Sequence, residues 1–274
     1  MNSRPTQPRV RNIKVAEVVA DALRTRILTG DLADGELLPK QGVLLSELGA
    51  SRESLRQALQ ILETEGLVRV RRGNIGGVEV HRPSIDTAAY MVALVLESAG
   101  TTLDDIAQTL LHLEPECAGL CAARPDRLET VVPYLREAQE RVKRGVDDVA
   151  IYASAARLFH RELALRCGSQ SLSTLTSTME SIFATHEAVF IERTRDSPQL
   201  PGIEHRRKSL KRHERLIDVI SAGDVAQAKR VARSHLIEGQ GHALRDIGGE
   251  LIRVSTLRGW ELSGSGTTHS VART

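Results

Sequence analysis

The chain has 274 residues, a net charge of +2 and only 3% aromatic side chains. That length supplies one large domain or two small ones, and the scarcity of aromatics beside abundant Leu, Ala and Val favours packed helices over a sandwich or barrel. Its longest apolar runs fall far short of a membrane span and its first residues are polar, so the expected location is cytoplasmic, with no membrane partner.

The first eighty residues change period twice. Apolar residues at Val15, Val18, Val19, Ala22, Leu23 and Ile27 predict a helix that Gly30 closes. After the turn-rich "GDLADGELLP", a short helix is expected over 41–48, and Gly49 ends it. Ser51 then caps a third helix whose apolar positions are Leu55, Ala58, Leu59 and Leu62. In "LVRVRRGNIGGVEVH", valines alternate with charges around a glycine-rich turn, the pattern of a β-hairpin. Three helices and a hairpin in so short a span describe a winged helix, expected over 13–81 after a disordered arm, 1–12.

Beyond a linker at 82–86, only helical periodicity appears, over about 87–99, 102–123, 126–144, 147–167, 171–194, 204–222 and 224–247. The fold class is therefore mainly α: an N-terminal winged helix-turn-helix with a small hairpin, then an all-α antiparallel bundle over 87–250 and a tail at 251–274. Cys117, Cys121 and Cys167 lack metal or redox spacing and read as buried free thiols. The basic run "HRRKSLKRHER", 205–215, reads as a solvated helix face.

Charge is uneven: residues 1–82 hold 13 Lys/Arg against 10 Asp/Glu. Its placement matters more. The third helix opens with Ser51, Arg52, Glu53, Ser54 and Arg56. In a helix-turn-helix this end enters the major groove of double-stranded DNA, where arginine forks onto guanine and serine bonds a base or a phosphate. Arg69, Arg71 and Arg72 on the hairpin could touch the neighbouring groove.

The segments "ILTGDLADGELLP", "LGASRESLRQAL" and "LETEGLVRVRRGNIGGVEV" resemble the DNA-binding domain of the GntR family of bacterial regulators. The resemblance implies that Arg52, Ser54 and Arg56 read the operator, with Arg72 and Gly73 at the wing tip. It also marks a departure: Gly42 stands where the family often has an arginine, leaving Lys40 or Gln41 to take over a backbone contact.

In the second half, the chain around Gly223 reads as two antiparallel helices. His213 lies ten residues before that glycine and His235 twelve after, so both imidazoles fall about 15–18 Å from the turn, at one level. A third helix must bring His160 to them, which a bundle can do. The stretches "LEPECAGLCAA", "FHRELALRCGS" and "LIDVISAGDVAQAKRVARSHL" resemble the FCD effector domain found in the FadR subfamily of those regulators. That resemblance implies a homodimer and a pocket where three histidines and an aspartate hold a divalent metal against a small carboxylate or acyl-type effector. The histidines map onto His160, His213 and His235. The aspartate maps onto Ala156, and a common pocket arginine onto Leu110, leaving a three-histidine site for zinc or nickel. The expected function is a ligand-responsive transcriptional regulator, a repressor that binds a pseudo-palindromic operator as a dimer, and not an enzyme. Two other readings are a metal-dependent hydrolase, against which stands the lack of an HExxH motif, and a DNA-binding protein with an inert bundle.

Overall fold

The computed structural model describes residues 8–71, 76–194 and 200–257. Two compact units divide between Ser84 and Ile85.

The first unit holds α1 (Pro8–Thr29), α2 (Gln41–Leu48), α3 (Arg52–Thr64), β1 (Val68–Arg71) and β2 (Gly77–Val80). The helix expected from Val15 begins at Pro8, so the latter part of the 1–12 arm is helical; residues 1–7 lie outside the described ones. Leu23 and Ile27 of α1, Leu44 of α2, Leu55 and Leu62 of α3 and Val68 and Val80 of the hairpin share one core. The hairpin is antiparallel, with Val68 opposite Val80 and Val70 opposite Val78. Between α2 and α3 the chain turns at Gly49, whose φ of 58° lies in the left-handed region that a side chain disfavours.

The second unit runs α4 (Ile85–Ser98), α5 (Leu103–Ala123), α6 (Arg127–Thr130), α7 (Val132–Arg144), α8 (Val149–Arg166), α9 (Gln170–Arg193), α10 (Ile203–Ala222) and α11 (Val225–Ile247). The single helix expected over 126–144 is split at Val131. Pro133 explains the break, because it has no N–H for the carbonyl one turn back and its ring crowds that carbonyl. The linker is shorter than expected, since α4 already begins at Ile85. The tail is shorter too. Leu251 bridges to Thr102, and Ile252, Val254 and Leu257 are buried in a core shared with α4, α5 and α9. Apolar residues after the last long helix pack here rather than trail into solvent; residues 258–274 lie outside the described ones.

Two sequence features place the bundle's central helices. Gly223 closes α10 with a φ of 78°, so α11 folds back along α10 as an αα-hairpin. Pro115 sits inside α5 and cannot donate to the Leu111 carbonyl. Arg233 of α11 supplies the missing donor at 2.7 Å, which ties α11 to α5 at that point. The basic run proves less uniformly solvated than expected. Arg207, Lys208 and Lys211 are exposed, but Arg206 is buried and donates to the carbonyls of Val146, Pro201 and Asp147. Five N–H donors on one planar guanidinium can satisfy several loop carbonyls at once, which lysine could not.

Candidate DNA interface and metal centre

Ser51 is the N-cap of α3, and its Oγ accepts from the Ser54 N–H at 3.1 Å. Arg52 follows on the exposed first turn and forms no hydrogen bond or ion pair with another described residue. Arg56 is also exposed, but its guanidinium grips both carboxylate oxygens of Glu53, at 2.6 and 3.1 Å. Of the two arginines, Arg52 is the one free to meet a base; Arg56 must first leave Glu53. Ser54 is placed differently from the two arginines. It is 2% exposed, and its Oγ lies 2.9 Å from the Ser51 Oγ. Position 54 lies about 200° round the helix from Arg52, on the side of Leu55 and Ala58, where it supports the cap. Lys40 and Gln41 are exposed at the start of α2, beside the exposed Gly42. Arg72 and Gly73 lie outside the described residues; Arg69 and Arg71 are exposed on β1. Ser51→Ala is expected to lower the unfolding free energy of this unit by about 1 kcal/mol, the usual loss on removing a serine cap, as measured by chemical denaturation. Ser51→Asp should restore it.

In the helical unit the three histidines meet as their spacing and a bundle required. His160 comes from α8, His213 from α10 and His235 from α11. The Nε2 atoms of His213 and His235 stand 3.0 Å apart, and those of His235 and His160 3.3 Å. Two nitrogens sharing one zinc at about 2.1 Å each stand about 3.0–3.4 Å apart for angles near 90–109°. His213 and His235 are almost fully buried.

Residues outside the triad fix the rings. Gln139 Nε2 donates to the Leu210 carbonyl, so its Oε1 is left to accept from His213 Nδ1 at 3.0 Å. Phe159 stacks on the His213 ring at 3.9 Å. Glu114 of α5, 1% exposed, accepts from His160 Nδ1 at 2.6 Å. Both pairings place the proton on Nδ1 and leave Nε2 facing the centre, the arrangement carboxylate–histidine pairs produce around metals. Burial, reinforced by neighbouring positive groups, pushes His213 and His235 well below the ordinary histidine range, so both are neutral donors. Burial also opposes charge on His160, but the Glu114 carboxylate outweighs it and raises this imidazole to about 9. His235 Nδ1 is buried without any partner. A cation at the centre would satisfy all three inward Nε2 lone pairs together; the donor set fits zinc or nickel.

The histidines form one wall of a cavity of about 100 Å³ among α8, α9, α10 and α11. Ala156 lines it one turn before His160. Leu110 is fully buried in apolar core and brings no charge to it. The cavity also contains Arg157, Glu180 and Glu187, none of which sequence reasoning singled out. Burial raises Glu180 to about 7 and raises Glu187 as well.

A winged helix joined to a helical unit with a walled, histidine-lined cavity defines a DNA-binding regulator with a ligand-binding domain. Residues 15–78 match the family described as bacterial regulatory proteins, gntR family, and residues 105–238 match the FCD domain, so the chain belongs to the GntR family and carries an FCD domain. It is 26% identical over 241 residues to the HTH-type transcriptional repressor NanR of Citrobacter rodentium, covering 84% of this chain and 86% of that protein. The NanR protein of Salmonella typhimurium matches to the same extent. Among solved structures, Streptococcus agalactiae GntR superposes with a TM-score of 0.61 at 21% identity, over 82% of this chain and 99% of that one. The family and these relatives are transcriptional regulators, not enzymes, which sets aside the hydrolase reading. No helix among the described residues is long and apolar enough to cross a membrane.

Proposed function

We propose that the protein is a cytoplasmic, homodimeric repressor that binds a pseudo-palindromic operator and releases or tightens it when a small metabolite enters the FCD cavity. The observation that carries the ligand-responsive part is the convergence of three inward Nε2 atoms inside that cavity. An inert bundle gains nothing from burying such a cluster with one imidazole nitrogen left unpaired, since buried polar groups without partners destabilise a fold. The repressor sense rests on the named relatives. Self-association is supported by Met91, Leu94 and Val95, which stand exposed on α4. Each protomer's α3 would then take one half-site.

In this reading His160, His213 and His235 hold zinc or nickel through Nε2, with Glu114 and Gln139 orienting two of the rings. The bound metal supplies a divalent positive centre for an oxygen donor of the effector, such as a carboxylate. Without an aspartate at position 156, none of the three histidine ligands brings a negative charge to the metal itself, which favours an anionic oxygen beside it. Effector binding would shift operator affinity by a coupling free energy of about 1–3 kcal/mol.

Metal binding is the direct test. Zinc at about a hundred times its dissociation constant should stabilise the folded chain by about 2.7 kcal/mol, raising the melting temperature by about 5–10 °C. His213→Ala should remove that shift while leaving operator binding in the effector-free state. An unchanged melting temperature in the wild-type protein across a zinc and nickel titration would sink the metal part of the proposal.

A further inference from the structure

The cavity that the histidines line also presents an arrangement that a simple carboxylate does not explain. Glu180 and Glu187 stand seven residues apart on α9, hence on one face of that helix, and both line the cavity. Neither forms a hydrogen bond or a close ion pair with another described residue. The cations that act on them are His160 and Arg157. His160 is already engaged with Glu114 at 2.6 Å. Arg157 gives one of its N–H groups to the Ala184 carbonyl at 2.5 Å and brings a single charge for two carboxylates. At least one of the two side chains therefore has no counter-charge of its own, and burial holds it toward the neutral acid until a cation arrives. A second, independent feature belongs to the same cavity: His235, 3% exposed, lines it and has a buried Nδ1 with no hydrogen-bond partner among the described residues.

We infer that the effector carries a cationic nitrogen, an ammonium or amidinium group, that sits against Glu180 and Glu187 while its oxygen end faces the three histidines. The inference rests on the effector-pocket reading above and narrows its ligand from a carboxylate to a compact amino acid-like zwitterion. An ammonium provides three N–H donors and one positive charge, which would draw these two side chains into their ionised, hydrogen-bond-accepting form. A plain dicarboxylate would instead set like charges against the α9 wall.

Matched pairs of small molecules test this on the full-length, zinc-supplemented protein by calorimetry and thermal shift: butyrate against 4-aminobutyrate, pentanoate against 5-aminopentanoate, with 1,4-diaminobutane as a ligand lacking the oxygen end. The amino member of at least one pair should bind about tenfold or more tightly than its parent acid, the effect of one charged hydrogen bond. The double variant Glu180→Gln/Glu187→Gln, close in shape, should lose that preference while keeping zinc content and operator affinity; each single variant should lose part of it. Equal binding of acid and amino acid, or no amine-dependent stabilisation anywhere in the panel, overturns the inference. Loss of zinc from the double variant also overturns it, because the carboxylates would then be metal ligands. Acids that bind without any amine preference leave the effector pocket standing and defeat only the cationic end. No zinc uptake together with no stabilisation by any compound defeats both.

Discussion

Arg52→Ala is expected to weaken specific operator binding by about 2–6 kcal/mol in the dimer, from about 1–3 kcal/mol for each arginine–guanine fork, with the loss doubled over two half-sites. At the low end that is about 30-fold. The loss should appear in fluorescence anisotropy with a selected operator and shrink on random DNA, because a base contact carries sequence information that a phosphate contact does not. Folding stability should barely move, since Arg52 is exposed and forms no hydrogen bond or ion pair with another described residue. Wild-type affinity in the variant would remove Arg52 from the reading surface. Lys40→Ala offers the contrast: a uniform loss across sequences and a salt dependence reduced by about one ion per half-site. Arg56 should behave differently from both. Its bidentate hold on Glu53 must be broken before it can reach DNA, so part of any contact energy offsets that rupture.

Glu114→Ala should be the most damaging single change in the helical unit, destabilising it by about 3–5 kcal/mol in denaturant unfolding. The substitution leaves His160 Nδ1 without its acceptor and opens a void in α5 at a position only 1% exposed. Glu114→Gln separates folding from function. Its amide oxygen can still accept from Nδ1, so the fold should survive, while the loss of carboxylate charge should lower zinc affinity by about 10- to 100-fold. Zinc affinity unchanged in Glu114→Gln would reduce Glu114 to a packing residue.

Glu114 also shows where sequence reading stops. It stands in "LLHLEPECAGL", seven residues before Cys121 and four after Leu110, in phase with the buried face of α5. A glutamate in that phase was a visible anomaly, since carboxylates are rarely buried unless paired. Its partner was not visible, because His160 lies forty-six residues away on another helix. The same limit applies to Glu180 and Glu187. On α9 alone they read as ordinary polar positions, and only packing against α8, α10 and α11 encloses them. Ser54 shows the limit from the other side, being 2% exposed in a run read as groove-facing. The run Ser51 to Arg56 supplied the right residue types for a groove-reading helix, but helix rotation, not residue type, decides which of them face outward.

Local patterns determined the elements. Caps, glycine stops and two periodicities placed α2, α3 and the hairpin, and the similar distances from Gly223 put His213 nearly level with His235. These outcomes depend on backbone geometry within one helix or one turn, which neighbouring residues dictate. The tertiary structure alone decided which charges are paired, which are free and which are enclosed. Arg52 has no ion-pair partner among the described residues and Arg56 is held; Arg206 is buried on three carbonyls; Ala156 lines the cavity that Glu180 and Glu187 also line. Those properties depend on desolvation and on partners brought together from distant parts of the chain, and no local pattern encodes them.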